Sequence, residues 1–490
     1  MSQIGATPVD VRVARWLVAA LVAFLAVSWW PGFVLPLGDS HEGRVLGQFS
    51  LHVANFWELG PWASSFGASW EPFSEVPYTH HPPLLTFLHL LTSTFAGQGL
   101  TQVKSISYLA GLATIPALWW LGRRLGLGAL PAFGAVAALV ATPWWWVYGR
   151  LGLGLLPNVI MIGALWAVVE ESTPRRLRLA AAASFAAVAA SWHGVFLAPL
   201  LLLWLWRRRG CDRAVIAAGV GMIAGGLVIL IWVAQGGGFG EWGDHLGTRV
   251  GGDWGWGEFL SRQWRFARGL LPTWYLVAAV LALVAGLADI RTRFVTGALI
   301  AMVVVFSLVP ADGAWIHDYW NFPVLLALFP GFAVLIDWTS RWAAHQWKRG
   351  FGDRLAGLVR LKVVVLISVV AAALLVMDPI GHHDRYFVDP AQAGELVAAV
   401  DPSPDQVAAW YAPQVPWPTW IAHAWELPPA ALAGVGELAT VPDDDLVVLR
   451  LDRLPAWLDP AVIAEAHAVA GRYVVVRGDH LRLYKLGVDR

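Results

Sequence analysis

Two short stretches of this chain concentrate groups able to move protons or grip anions. Asp39, His41 and Glu42 fall within 38–42, and His80 and His81 stand directly before Pro82 and Pro83. Farther along, Asp244 with His245 and His317 with Asp318 repeat the pairing of carboxylate and imidazole. A carboxylate or a neutral imidazole accepts protons near neutral pH, and the two together suit a divalent first-row cation. His80, His81 and His245 are the candidate ligands, although no close HxH or HExxH spacing joins them. The single cysteine, Cys211, excludes an intrachain disulfide and a cysteine metal cluster.

These groups need elements to hold them. From His41 onward, His41, Arg44, Gln48, His52 and Asn55 recur at steps of three or four, with Val45, Phe49, Val53 and Phe56 on the opposite stripe. The spacing predicts an amphipathic helix lying in a membrane interface, its polar edge toward an aqueous cleft. A second short helix is expected from Pro82 and Pro83 through Leu91, proline being suited to a first helical turn. The acids and histidines thus sit at two helix starts, where free backbone N–H groups attract a carboxylate or phosphate. The same spacing has a structural reading: Asp39 with Glu42 forms a capping box, and His81 caps the second helix.

The surroundings are a bilayer. With 57% hydrophobic and 14% charged residues in 490, and a mean hydropathy of +0.57, the chain is too apolar for a water-soluble body, where about 25% charge is usual. Its 34 basic and 34 acidic residues leave no net field, which argues against nucleic acid as a partner. Eleven apolar stretches approach the roughly 20 residues of a membrane crossing: 14–37, 103–122, 129–148, 155–169, 179–191, 194–206, 214–234, 269–288, 294–309, 321–338 and 361–378. The fifth and sixth could fuse into one helix, which would move every later loop to the other side. Read as a hairpin turning at 192–194, they place Arg123 and Arg124, Arg207 to Arg209, Arg291 and Arg293, and the bases of 341–362 on the side of the N-terminus. The positive-inside rule then makes that side cytoplasmic.

Outside lie 38–102, 235–268, 310–320 and the tail. The expected architecture is a polytopic helical membrane domain over 1–379, with interfacial helices in its first outer loop, and a small extracytoplasmic α/β domain over 380–490. In the tail, 407–411, 446–451 and 473–477 read as strands, 392–400 and 462–469 as helices, and Asp443 to Asp445 as a solvated turn.

Four runs carry a resemblance: the one from Gly38 (GDSHEGRVLGQFSLHVANFWELG), then 78–85 (YTHHPPLL), 143–151 (PWWWVYGRL) and 317–323 (HDYWNFP). In that order they resemble the polytopic glycosyltransferases of the GT-C class, and within it the family related to protein O-mannosyltransferases and aminoarabinose lipid A transferases. The similarity covers roughly 14–340. It implies a GT-C fold in the cell membrane, a polyprenyl phosphate sugar as donor and an extracytoplasmic acceptor. It also implies an acidic base in the first outer loop, with basic groups or a divalent metal on the lipid phosphate. Carried onto this chain, Asp39 is the leading base and Glu42 its acidic partner; an ungapped alignment sets His41 and Glu42 on the family's Asp-Glu pair. Arg44, Tyr78, His80, His81, Arg150, Arg249, His317 and Asp318 become the substrate and phosphate contacts, with Lys104 and Arg262 as further outer cations. The chain departs from the family in having His81 where lipid A relatives often have Lys, and in lacking an acid between Leu151 and Pro157.

Two rival readings follow. A lipid-linked glycan flippase or transporter would place ionisable residues inside its spans, and these are nearly free of them; Asp337 sits close to an inner end. An inactive relative that binds wall glycan through its tail would account for the missing acid after Arg150. His193, at the tight outer turn, reads as a hairpin residue rather than a ligand.

Overall fold

The computed structural model describes residues 8–34, 41–69, 81–151, 155–236 and 254–351, single positions within 77–79 and 238–250, and three strands beyond 400. The helices, in chain order, are α1 (Pro8–Val34), α2 (His41–Ala63), α3 (Leu84–Ala96), α4 (Leu100–Arg124), α5 (Ala129–Val140), α6 (Pro143–Tyr148), α7 (Leu155–Glu170) and α8 (Pro174–Ala190). After them come α9 (Trp192–Arg209), α10 (Arg213–Gln235), α11 (Trp256–Leu270), α12 (Thr273–Ala288), α13 (Arg293–Leu308), α14 (Ala311–Ile316) and α15 (Val324–Phe351).

This is a multi-pass helical membrane protein. α1, α4, α10 and the start of α15 are long and apolar enough to cross a bilayer, and α11 with α12 adds a fifth if that bent pair counts as one span. The other expected crossings within the described residues are helices of 12 to 18 residues, α5, α7, α8, α9 and α13. The stretch 361–378 lies outside the described residues.

Two local features set how the chain turns. Ser191 ends α8 in an extended conformation (φ −160°, ψ 149°) and caps α9, its hydroxyl accepting the Gly194 N–H at 3.2 Å. The stretch 179–206 is therefore two helices and not one, with the break at Ser191 rather than at 192–194. The expected single span 129–148 is broken instead: the Thr142 hydroxyl accepts the Trp145 N–H at 3.2 Å and Pro143 opens α6. A proline lacks the N–H that an unbroken helix would use there, so cap and restart replace continuity.

The chain divides into two compact units. The first holds Met1–Ser28, Thr79–Leu85 and Ser107–Ile380. Inside it, helices approach through small residues, as bundles in lipid must when apolar burial gives little drive. A Cβ on Gly221 of α10 would fall 2.1 Å from the Ala181 carbonyl oxygen of α8, and one on Gly331 of α15 would fall 1.9 Å from that of Ala282 on α12. At one end of this unit, Asp337 accepts from Arg291 at 3.0 Å and from Arg341 at 2.7 Å, and Arg124 meets Glu170 at 2.9 Å.

The second unit holds Trp29–Tyr78, Thr86–Ile106 and Gly381–Arg490. Its tail carries β1 (Ala408–Tyr411), β2 (Leu446–Arg450) and β3 (Tyr473–Arg477), ordered β1-β2-β3. β1 runs parallel to β2 and β3 antiparallel, with Val448 opposite Trp410 on one side and Val475 on the other. All three strands match the sequence expectation to within a residue. The helical expectations 392–400 and 462–469, and the turn at Asp443 to Asp445, lie outside the described residues.

Candidate functional site

α2 begins at His41, so His41, Glu42 and Arg44 occupy its first two turns. Asp39, Tyr78, His80, Asp244, His245 and Arg249 lie outside the described residues. The rest of α2 corrects one expectation. Its polar stripe does not border an aqueous cleft: Gln48, His52 and Asn55 are buried along with Phe49 and Val53. The reason is a packed partner on both sides. Asn55 donates to the Ser69 carbonyl at 2.9 Å, and His89 of α3 stacks on Phe49 with ring centroids 4.4 Å apart. His89, which the periodicity did not single out, has no hydrogen-bond partner for either ring nitrogen among the described residues. Burial, and secondarily the charge on neighbouring His52, lowers its pKa to about 3, so the ring is neutral at physiological pH.

Lys104 also departs from its expected place among the outer phosphate contacts. It is buried, and its ammonium donates to the Gly32 carbonyl at 2.9 Å. Gly32 lies in the last turn of α1, where unpaired carbonyls gather partial negative charge, so Lys104 serves that helix end.

In the first unit, the third and fourth motifs meet. α6 is entirely buried, and Trp144, Trp145 and Tyr148 each place a ring centroid 6.1 Å from that of Phe322. This aromatic collar sets the Tyr148 hydroxyl against Asp318, donating to Oδ1 at 2.6 Å. Two residues past Tyr148, Arg150 is fully buried, its guanidinium 4.7 Å above the Tyr108 ring of α4. His317 stands beside Tyr319, ring centroids 4.8 Å apart. The result is a carboxylate, a phenol, an imidazole and a guanidinium on two short segments.

A second layer steadies the loop. Gln263 of α11 donates to the Ala314 carbonyl and accepts from Asn321, both at 2.6 Å, and the Ser307 hydroxyl donates to the Asn321 side-chain oxygen. Phe306 of α13 stacks on Trp320 at 4.7 Å and carries His193 on its ring at 4.1 Å. α11 itself was not foreseen; 235–268 reads as loop because its apolar residues are too sparse for a span. Its Arg262, expected at a phosphate, rests 4.6 Å over the Trp315 ring.

The octet is seated by a close approach. Thr79 is buried, and a Cβ on Gly236, the residue ending α10, would fall 2.0 Å from its methyl carbon. Any side chain at 236 would therefore displace Thr79. His81 is exposed in the bend before α3, which starts at Leu84, just past the prolines. Among the described residues, no three His, Cys, Asp or Glu side chains converge as metal ligands would.

No protein-family model matches the chain, and no curated protein does. Solved structures do. ArnT from Cupriavidus metallidurans, in a crystal structure bound to undecaprenyl phosphate, aligns with a TM-score of 0.54 and 15% identity over 94% of this chain and 98% of that one. The same protein in the apo state gives 0.54 and 15% over 95% and 98%. The chain thus has the fold of ArnT over most of its length, the one its four motifs resemble.

Proposed function

We propose that the chain is an integral membrane glycosyltransferase of GT-C fold, transferring a sugar from a polyprenyl phosphate carrier to a hydroxyl of an extracytoplasmic lipid, glycan or protein. The observation that carries this reading is the fold shared with a structure bound to undecaprenyl phosphate, together with a buried arginine and a tyrosine-held aspartate on two motifs of the resemblance. ArnT is an aminoarabinose lipid A transferase.

The reaction balances simply. A carboxylate of the first outer loop, Asp39 in the leading assignment with Glu42 and His41 beside it, accepts the proton of the attacking hydroxyl. The oxygen bonds to the anomeric carbon as the carbon–phosphate oxygen bond breaks on the opposite face, inverting that centre. The electron pair leaves with the phosphate, whose charge Arg150 offsets by electrostatics fixed in advance. Arg44, Tyr78, His80, His81, Arg249, His317 and Asp318 complete the substrate contacts in this proposal. Three imidazoles, from His80, His81 and His245, are a donor set chemically suited to a divalent cation, which would supply further positive charge at the phosphate. The N-terminus is cytoplasmic and the C-terminal domain extracytoplasmic in this reading, after the charge asymmetry of the loops.

Purified protein in lipid, offered a panel of polyprenyl phosphate sugars, is expected to release polyprenyl phosphate. Asp39→Asn, His41→Ala and Glu42→Gln rank the three base candidates, and Arg150→Met should lower kcat by about 10² to 10³-fold, the usual loss for one preorganised donor. Movement of lipid-linked glycan between leaflets without release would overturn the proposal. Loss of activity on chelation, restored by divalent ions, tests the cation.

A further inference from the structure

α11 divides into three lengthwise sectors. Phe259 and Leu270 are buried, and Arg262 and Gln263 on the same side reach Trp315 and the Ala314 carbonyl, so this sector faces the protein. Trp256, Leu260 and Trp264, at steps of four, form a second sector in which each large apolar side chain is about half exposed or more, at 60%, 64% and 49%. Ser261, Arg265 and Arg268 fall on a third, polar and exposed. Water would be a poor environment for the middle row, which holds two tryptophans on one short helix.

The next element indicates what covers that row. After Leu271 and Pro272 the chain bends by 107° into α12. α12 carries its own exposed row, Val277, Val280, Leu281 and Val284, which in a membrane-crossing helix is the lipid-facing side. A helix nearly perpendicular to a crossing helix runs along the membrane surface. Its apolar row is then continuous with an acyl-facing surface, and its two arginines stand at the level of lipid phosphates. Tryptophan is favoured at that depth, and arginine pairs with phosphate there.

We propose that α11 is a membrane-surface helix seated in the headgroup–acyl boundary at the Asp318 end of the first unit, with Trp256, Leu260 and Trp264 among acyl chains and Arg265 and Arg268 among phospholipid phosphates. Because Gln263 binds both the Ala314 carbonyl and Asn321, that seating also holds the loop bearing Asp318. The proposal does not depend on the chemistry of the site.

The chain's only cysteine permits a direct test. In a Cys211→Ser background, single substitutions Leu260→Cys, Trp264→Cys, Arg265→Cys and Arg268→Cys are labelled with bimane. The full chain is then placed in nanodiscs containing phosphatidylglycerol. Probes at 260 and 264 should be quenched by lipids spin-labelled in the upper acyl chain at least threefold more than those at 265 and 268, which aqueous iodide should quench preferentially. Equal iodide quenching at all four positions would overturn the proposal. Protection of 260 and 264 from both quenchers would overturn it as well, since another part of the chain would then cover the row. Two positions per sector guard against one variant failing to fold.

Discussion

The Tyr148–Asp318 hydrogen bond joins two motifs 170 residues apart, and its loss is easily isolated. Tyr148→Phe keeps the ring against Phe322 while deleting the donor. A hydrogen bond to a charged group contributes about 1.5 to 3 kcal/mol, so the thermal midpoint should fall, and turnover measured well below it should fall roughly 10- to 100-fold. Equal turnover would remove Asp318 from the reaction. His89 gives a second test, by pH. Its folded pKa is about 3, against an ordinary 6.5. Between those values the unfolded chain binds a proton that the folded chain refuses, so stability drops as pH falls through this window, by at most about 1.4 kcal/mol per unit. His89→Phe should flatten that part of the melting profile and hold the Phe49 stack. Parallel profiles would show that another group titrates. At this scale the sequence was informative where residue type alone carries chemistry, as at His317, Asp318 and Arg150. It misled for Lys104 and for Gln48, His52 and Asn55, because helical spacing reports which residues share a face and not what that face meets.

Among the elements, tight approaches between helices matter more than propensity. Gly331→Ala would push a methyl group into the Ala282 carbonyl, 1.9 Å away, where backbone and not a flexible side chain must yield. The expected cost is about 1 to 3 kcal/mol, seen as a lower melting temperature in detergent. Gly226→Ala, a change in α10 with no neighbour within 4 Å, should be neutral or slightly stabilising. Apolar run length located most of the described helices within a few residues, although α15 continues to Phe351, past the expected 338, and α5 stops at Val140, short of the expected 148. Run length could not find the Thr142–Pro143 break, where the sequence stays apolar across a cap, nor α11, whose three sectors dilute any single periodicity. β2 and β3 were legible because valine runs between polar turns have few other outcomes.

For the whole molecule, charge is distributed by end. Besides the Asp337 group, Asp289 is ion-paired with Arg291 at 2.7 Å, and Arg209 with Asp212 at 2.7 Å. Burial alone would raise the Asp289 pKa; the Arg291 hydrogen bonds outweigh it and hold the carboxyl below its ordinary value. These pairs occupy the loops that the positive-inside rule assigns to the cytoplasm, and Cys211, exposed, lies among them. A membrane-impermeant maleimide should therefore leave Cys211 unmodified in intact cells and label it in inverted vesicles. Labelling in intact cells would reverse the orientation and with it the proposed site of action.

The bend at Ser191 has a consequence for bookkeeping across the bilayer. In the eleven-span reading, the chain between Tyr148 and Asp318 makes six traverses, α7, α8, α9, α10, α12 and α13, and an even number returns it to the compartment it left. Fusing α8 to α9 would make the number odd and strand the phenol and the carboxylate in different compartments. One serine cap thus decides whether a bond of 2.6 Å is topologically possible, so a proline-free, alanine-rich replacement of 190–194 should abolish it without touching either partner.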